Sequence, residues 1–234
     1  MPRKKDDVAL KSLEFSRIPP EAESWRKVLG LGQRVKFYKG AIIQCGEQSG
    51  ESIFFLESGE IRLLRSTLDG REKILWAIGP DTLFGETPFF DQLPARSVQF
   101  AATDCVVYAF SRKCVFEKIL PNEPVLMMAM FRSLASKVRV LCNQSASLCL
   151  DDLASRICKF LHLRLDNQGI REKVPYVCPG LNQQDLANLL GVHRVTLNKA
   201  LRELEKARII SPYSRDEVYI LDMKRFLNVA VQNE

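Results

Sequence analysis

The chain of 234 residues suits one large domain or two modest ones, and its 46% apolar content supports a packed core and argues against disorder. A net charge of +6 permits nucleic-acid binding without establishing it. No run of the roughly 18 apolar residues that a membrane span needs is present, and the start MPRKKDDVALKS has no apolar segment of a secretory signal, so a cytoplasmic protein with no membrane partner is expected. The seven cysteines, Cys45, Cys105, Cys114, Cys142, Cys149, Cys158 and Cys178, include no C-x-x-C pair, and the only histidines are His162 and His193. A metal site is therefore not expected, and the cysteines read as buried small hydrophobes of a reducing compartment.

Residues 35 to 112 read as strands and turns. Short runs rich in Ile, Phe, Leu and Val are punctuated by Gly40, Gly46, Gly59, Gly70, Gly79 and Gly85, where turns need positive φ. Asp69-Gly70 between EIRLLRS and EKILWAI is a hairpin signal, and SVQFAA and CVVYAFS flank a second turn at Thr103-Asp104. Many short, evenly spaced strands predict a sandwich, jelly roll or barrel.

The period changes over residues 121 to 149. Pro121 and Pro124 suit a helix start. Met127, Phe131, Leu134, Val138, Leu141, Ser145 and Leu148 then recur at alternating spacings of four and three, the a/d seam of a two-stranded coiled coil. Such a stripe also suits a helix lying on its own domain, but its narrowness favours a partner helix and a homodimer.

Residues 151 to 234 read as mostly helical, closing on a short β pattern. DDLASRICKFLHLRL opens with acidic residues, as a helix N-terminus favours, and His162 within it reads as a surface residue. The strongest signal is LNQQDLANLLGVHRVTLNKALRELEKARIIS. Asn182 is a good N-cap with Asp185 at N3, and Gly191 breaks the first helix after Leu190. A second helix starts near Val192 or His193. It places Leu197, Ala200, Leu201 and Leu204 on one face and Val195, Lys199, Arg202 and Lys206 on the other. From His193 to Arg208 there are five basic and two acidic residues, which favours a nucleic-acid surface over a merely solvated face. Two short helices at a glycine turn predict a helix-turn-helix, with RIIS and EVYILD, joined by PYSRD, as a β-hairpin wing.

A glycine-punctuated β-roll, a long dimer helix and a winged helix-turn-helix, in this order, resemble the CRP/FNR family of bacterial transcription regulators over residues 20 to 224. The resemblance implies an α+β fold: an N-terminal β-roll (jelly roll), a long dimerisation helix and a C-terminal winged helix-turn-helix. It implies a cyclic-nucleotide-binding-like sensor domain over 20–120, a dimerisation helix and hinge over 121–149, and a DNA-binding domain over 151–234. The implied partners are double-stranded DNA with an inverted repeat, a second copy of the chain, and RNA polymerase.

The stretch LFGETPFFDQLPARSVQF resembles the family's phosphate-binding cassette through Gly85, Glu86, Thr87, Arg96 and Ser97. A cyclic nucleotide such as cAMP presents one phosphate charge and a free 2′-hydroxyl. Arg96 can grip the phosphate with its planar fork, Ser97 can add a donor, Glu86 can accept from the hydroxyl, and Gly85 lets the backbone approach. The other reading of these residues is a Glu86–Arg96 ion pair that closes a roll whose cassette is only structural, in a sensor of redox state or of another small molecule. Where cAMP-responsive members carry a Thr-Ser pair on the dimer helix, this chain has Leu141 and Cys142. Where members commonly carry a base-reading Glu, it has Val195, which can pack on a thymine methyl. The recognition residues implied are His193, Arg194, Val195, Thr196, Asn198 and Lys199, with Asn182, Gln183 and Arg202 for phosphates. No catalytic triad, phosphate-binding NTPase loop or dinucleotide turn is present, so an enzyme is not expected.

Overall fold

The computed structural model describes residues 17–46, 50–67, 72–165, 170–171 and 174–231. They fall into two compact units, the first ending at Leu141 and the second beginning at Cys142.

The first unit is the β-roll. Its strands are β1 (Arg17–Ile18), β2 (Gln33–Phe37), β3 (Ile42–Gly46), β4 (Ser52–Ser58), β5 (Ile61–Ser66), β6 (Glu72–Ile78), β7 (Thr82–Phe84), β8 (Ala95–Ala101) and β9 (Cys105–Ser111). They form a five-stranded sheet in the order β1-β6-β5-β8-β3 and a four-stranded sheet in the order β2-β9-β4-β7. All pairings in these sheets are antiparallel except that of β1 with β6. A 3₁₀ helix over Glu23–Leu31 precedes β2, and helix α1 (Glu86–Asp91) follows β7.

Strand β4 accounts for the continuous apolar run from Ile53 to Leu56. Ile53 and Phe55 belong to one core, with Trp25, Leu83, Phe110 and Met130. Phe54 and Leu56 point the other way, into a second core with Ile61, Phe84, Ala101 and Val107. A strand buried on both faces cannot alternate apolar with polar. The aromatic rings meet at defined angles: Trp25 is edge-on to Phe110 at 5.3 Å and Phe54 stacks on Phe84 at 5.1 Å.

Gly40, Gly59 and Gly85 have positive φ as expected. Gly59 has no alternative, because a Cβ there would strike the carbonyl of Asp104 and the sulfur of Cys105. Gly46 instead is the last residue of β3, and Gly79 has no positive φ, since the left-handed turn falls on Asp81 with φ 61. The Asp69-Gly70 turn lies outside the described residues, although the strands it would join, β5 and β6, are antiparallel neighbours.

A π-helical turn over Cys114–Ile119 runs into α2 (Leu120–Asn122), and α3 spans Val125–Leu150. Pro121 therefore sits in the short α2, and Pro124 directly precedes the long helix. Within the roll unit, α3 buries Leu126, Ala129 and Met130 in the first core and Val140 in the second.

The second unit continues through α4 (Leu153–Leu165), β10 (Ile170–Arg171), β11 (Val174–Val177), α5 (Gln183–Leu190), α6 (Arg194–Lys206), β12 (Val218–Tyr219) and α7 (Met223–Val231). Strands β10, β11 and β12 form one small sheet. The last element is thus the helix α7, not the β pattern read before it. His162 is buried on α4 with its ring 6.3 Å from that of Phe226 on α7, contrary to the surface position expected. The period of α4 does not reveal this, because α4 packs against several elements, including α5, α6 and α7.

Candidate functional site

The roll's polar site begins at the end of β7. Gly85, with φ 84, caps α1 in the left-handed conformation and turns Glu86 inward, where it is 3% exposed. Ser133 Oγ donates to Glu86 Oε1 at 2.6 Å. Lys137 Nζ donates to the same oxygen, and to the Leu83 carbonyl at 2.8 Å. Ser133 and Lys137 stand four residues apart on one face of α3, so helix geometry presents both to one carboxylate. Burial lowers the pKa of the Lys137 ammonium, and the neighbouring Glu86 charge opposes that shift.

Glu86 is therefore held by the long helix and not by Arg96, so the expected alternative of a Glu86–Arg96 ion pair is not formed. Arg96 on β8 is exposed and enters no hydrogen bond or ion pair with the described residues. Ser97 beside it is half-buried, Gly85 is buried and Thr87 is exposed on α1. Leu141 and Cys142 are both exposed on α3, whereas the preceding Val140 packs into the roll core. Sequence reasoning missed Ser133 and Lys137. Their signal was two polar residues at i and i+4 on a face of the helix adjoining its apolar stripe.

That stripe lies open on the chain by itself. Met127, Phe131, Val138, Leu141, Ser145 and Leu148 are exposed and Leu134 is half-buried, with Phe131 at 55% and Val138 at 58%.

The second unit builds a helix-turn-helix. Asn182 caps α5, its Oδ1 accepting from the Asp185 amide at 2.8 Å. Gly191, with φ 68, ends it in the left-handed conformation. His193 caps α6, its Nδ1 accepting from the Val195 amide at 3.3 Å. Leu186, Ala187, Leu189 and Leu190 on α5 are buried, as are Leu197, Leu201 and Leu204 on α6. The burial of these faces leaves His193, Arg194, Val195, Thr196, Lys199 and Arg202 exposed, Val195 at 69%. Asn198 is half-buried and its Oδ1 is enclosed without a partner. Asn182 is exposed and Gln183 half-buried at the start of α5.

An open cleft of about 390 Å³ lies at that start, lined by Asn182, Gln183, Gln184, Arg194, Tyr213 and Arg215. Tyr213 and Arg215 come from the wing. An antiparallel bridge joins Ile210 to Ile220 at its base, and β12 also pairs with β11. Tyr213 donates its hydroxyl to the Leu181 carbonyl at 2.9 Å, and the Gly180 amide donates to the Arg215 carbonyl at 2.8 Å. Burial raises the Tyr213 pKa, which keeps the phenol a donor. Arg194 and Arg215 among its lining residues make this cleft attractive to a phosphate. Sequence reasoning took PYSRD as a turn and missed Gln184, Tyr213 and Arg215, whose proximity to α5 depends on the fold.

Among the described residues no group of His, Cys, Asp and Glu could hold a metal ion, and no helix is long and apolar enough to cross a membrane. A β-roll with a polar cassette, a long helix and an exposed helix-turn-helix define an effector-controlled DNA-binding transcription regulator. Residues 34–122 match the cyclic nucleotide-binding domain and residues 155–229 the Crp-like helix-turn-helix domain. The chain is 29% identical over 200 residues to a CRP-like cAMP-activated global transcriptional regulator of Mycobacterium tuberculosis, covering 85% of this chain and 88% of that one. It is 25% identical over 186 residues to the cAMP-activated global transcriptional regulator CRP of Escherichia coli, covering 76% of this chain and 84% of that one. The solved structure of OCPA-complexed CprK shares the fold with a TM-score of 0.74 at 21% identity, over 90% of this chain and 97% of that one. The protein belongs to the CRP/FNR family of transcription regulators and is not an enzyme. Its sensor domain supports control by a small-molecule effector.

Proposed function

We propose that the protein works in the cytoplasm as a homodimer that binds an inverted repeat in double-stranded DNA, contacts RNA polymerase, and responds to a small anionic effector inside the roll, foremost a cyclic nucleotide such as cAMP. The observation that carries this reading is the two-sidedness of α3. One face gives Ser133 and Lys137 to the cassette residue Glu86, and the face beside it offers a regular apolar stripe. An effector that engages the cassette thereby acts on the helix that meets the partner. Its differential affinity for two dimer arrangements would shift their populations.

Arg96, whose side chain pairs with none of the described residues, and the half-buried Ser97 suit the phosphate of such a ligand. Glu86 is already engaged by two donors from α3, which favours a second reading: an anionic effector without a ribose, gripped by Arg96 and Ser97 alone. On the DNA side, Arg194, Val195, Asn198 and Lys199 are proposed for base edges, with Asn182, Gln183, Arg202 and the wing residue Arg215 for phosphates. The half-sites would lie about one helical turn, roughly 34 Å, apart. Titration calorimetry with cAMP and cGMP tests the effector. Binding by wild type that is lost in Arg96→Leu, with fold and dimer kept, is the expected result. Absence of heat from both nucleotides would reject the cyclic-nucleotide reading and leave the second one.

A further inference from the structure

The break between the long helix and the DNA-reading unit contains a polar cluster that neither the cassette nor the DNA surface uses. Helix α3 ends at Leu150 and α4 starts at Leu153. Between them the carboxylate of Asp151 turns inward. Its Oδ2 accepts from Ser147 Oγ, one turn back on α3, at 2.6 Å. Lys159, two turns into α4, reaches across the break to both carboxylate oxygens at 3.0 and 3.1 Å. The side chains of Asp151 and Lys159 are each 5% exposed.

The next residue serves α4 alone: Asp152 Oδ1 accepts from the Ser155 amide at 2.7 Å, an N-cap. One turn further, Arg156 donates to the carbonyl of Leu190, the last residue of α5, at 2.7 Å. Burial lowers the Arg156 pKa, with Asp151 and Asp152 opposing the shift. A continuous set of contacts thus runs from the end of α3, through Asp151 and Lys159, along α4, and through Arg156 to the helix-turn-helix.

We propose that Ser147, Asp151 and Lys159 form a clasp that fixes the direction in which α4 leaves α3, and that Asp151 and Lys159 are therefore positioning residues for two-site DNA binding. The physical reason lies in what a buried ion pair does well. It adds little net stability over an apolar pair of the same size, because desolvation offsets the attraction, but it accepts only a narrow geometry. A joint between a dimer helix and a DNA reader needs that property. Two reading helices can enter successive grooves together only if each is held in place before binding, and a loose joint would have to be ordered at that moment. The clasp sits at the only break in the helical path from the proposed seam to α4, where such looseness would arise.

The inference rests on the dimeric, inverted-repeat reading, and the test separates the two. Asp151→Leu with Lys159→Met removes both charges of the clasp together, and both substituents approximate the volumes replaced. Wild type and the double variant are compared by thermal unfolding and by gel shift on a full inverted repeat and on a single half-site, with and without cAMP. The clasp predicts an unfolding temperature close to wild type, unchanged half-site affinity, and full-site affinity lowered roughly tenfold. A merely structural pair would lower full-site and half-site binding together, alongside the unfolding temperature. Full-site affinity equal to or above wild type in the folded variant, or equal losses on both sites, would overturn the proposal. A wild type that shows no advantage of the full site over the half-site would reject the dimeric reading, and the clasp with it. Exchanging the charges, Asp151→Lys with Lys159→Asp, should restore part of the full-site advantage if the pair itself matters.

Discussion

The two polar sites of this protein are built in opposite ways. The roll site is dry: Glu86 and Lys137 meet inside the protein, 51 residues apart in sequence, and each satisfies the other. The DNA surface is wet: its side chains project from one helix turn after another, and the fold leaves most of them in solvent. A buried polar group must find its partner within the protein, so its identity is fixed by a distant element. An exposed one needs only the right face of the right helix. Substitutions in the dry site should therefore act on stability, and those on the wet surface on recognition.

The largest effect expected from this contrast is at Lys137. Lys137→Met strands the Glu86 carboxylate in the interior and should cost about 3–5 kcal/mol, whereas Lys137→Met with Glu86→Leu should come out near neutral. Urea unfolding of both variants measures the difference. Equal losses in the two would mean that the pair is not coupled as its geometry requires.

Next comes the open face of α3, which behaves as dry only if a partner covers it. Val138→Asp with Leu141→Asp would bury two charges in a seam, at a cost of several kcal/mol, and should give a monomer in sedimentation. A dimer that survives would move the interface elsewhere.

On the wet side the change should appear in specificity. Val195→Glu should shift the favoured base pair at its position from A·T toward G·C by about 1–3 kcal/mol, read by selection of binding sites from a random pool. An unchanged preference would remove Val195 from the base-reading set.

The smallest effect lies between the two regimes. Asn182→Ala removes the α5 cap and should cost about 1 kcal/mol of stability. It should also weaken binding to all sequences alike, since a helix start offers phosphates no base information. Thermal unfolding and gel shifts on two unrelated operators check this together.

The sequence by itself determined the local features. Asn182, Gly191 and the spacing of Leu197, Leu201 and Leu204 specify the helix-turn-helix within one contiguous stretch, because caps, left-handed turns and helical period are short-range physics. The stripe from Met127 to Leu148 was legible for the same reason, and so was the turn at Gly85 that aims Glu86 inward. Only the tertiary structure decided what Glu86 meets. Arg96, ten residues along, was the nearer candidate in sequence, but the roll sets it on an exposed strand position while α3 brings Ser133 and Lys137 to the carboxylate. The burial of His162 and the approach of Tyr213 and Arg215 to the start of α5 were hidden in the same way. Each depends on which elements pack together, and sequence period gives an element's faces without naming its neighbours.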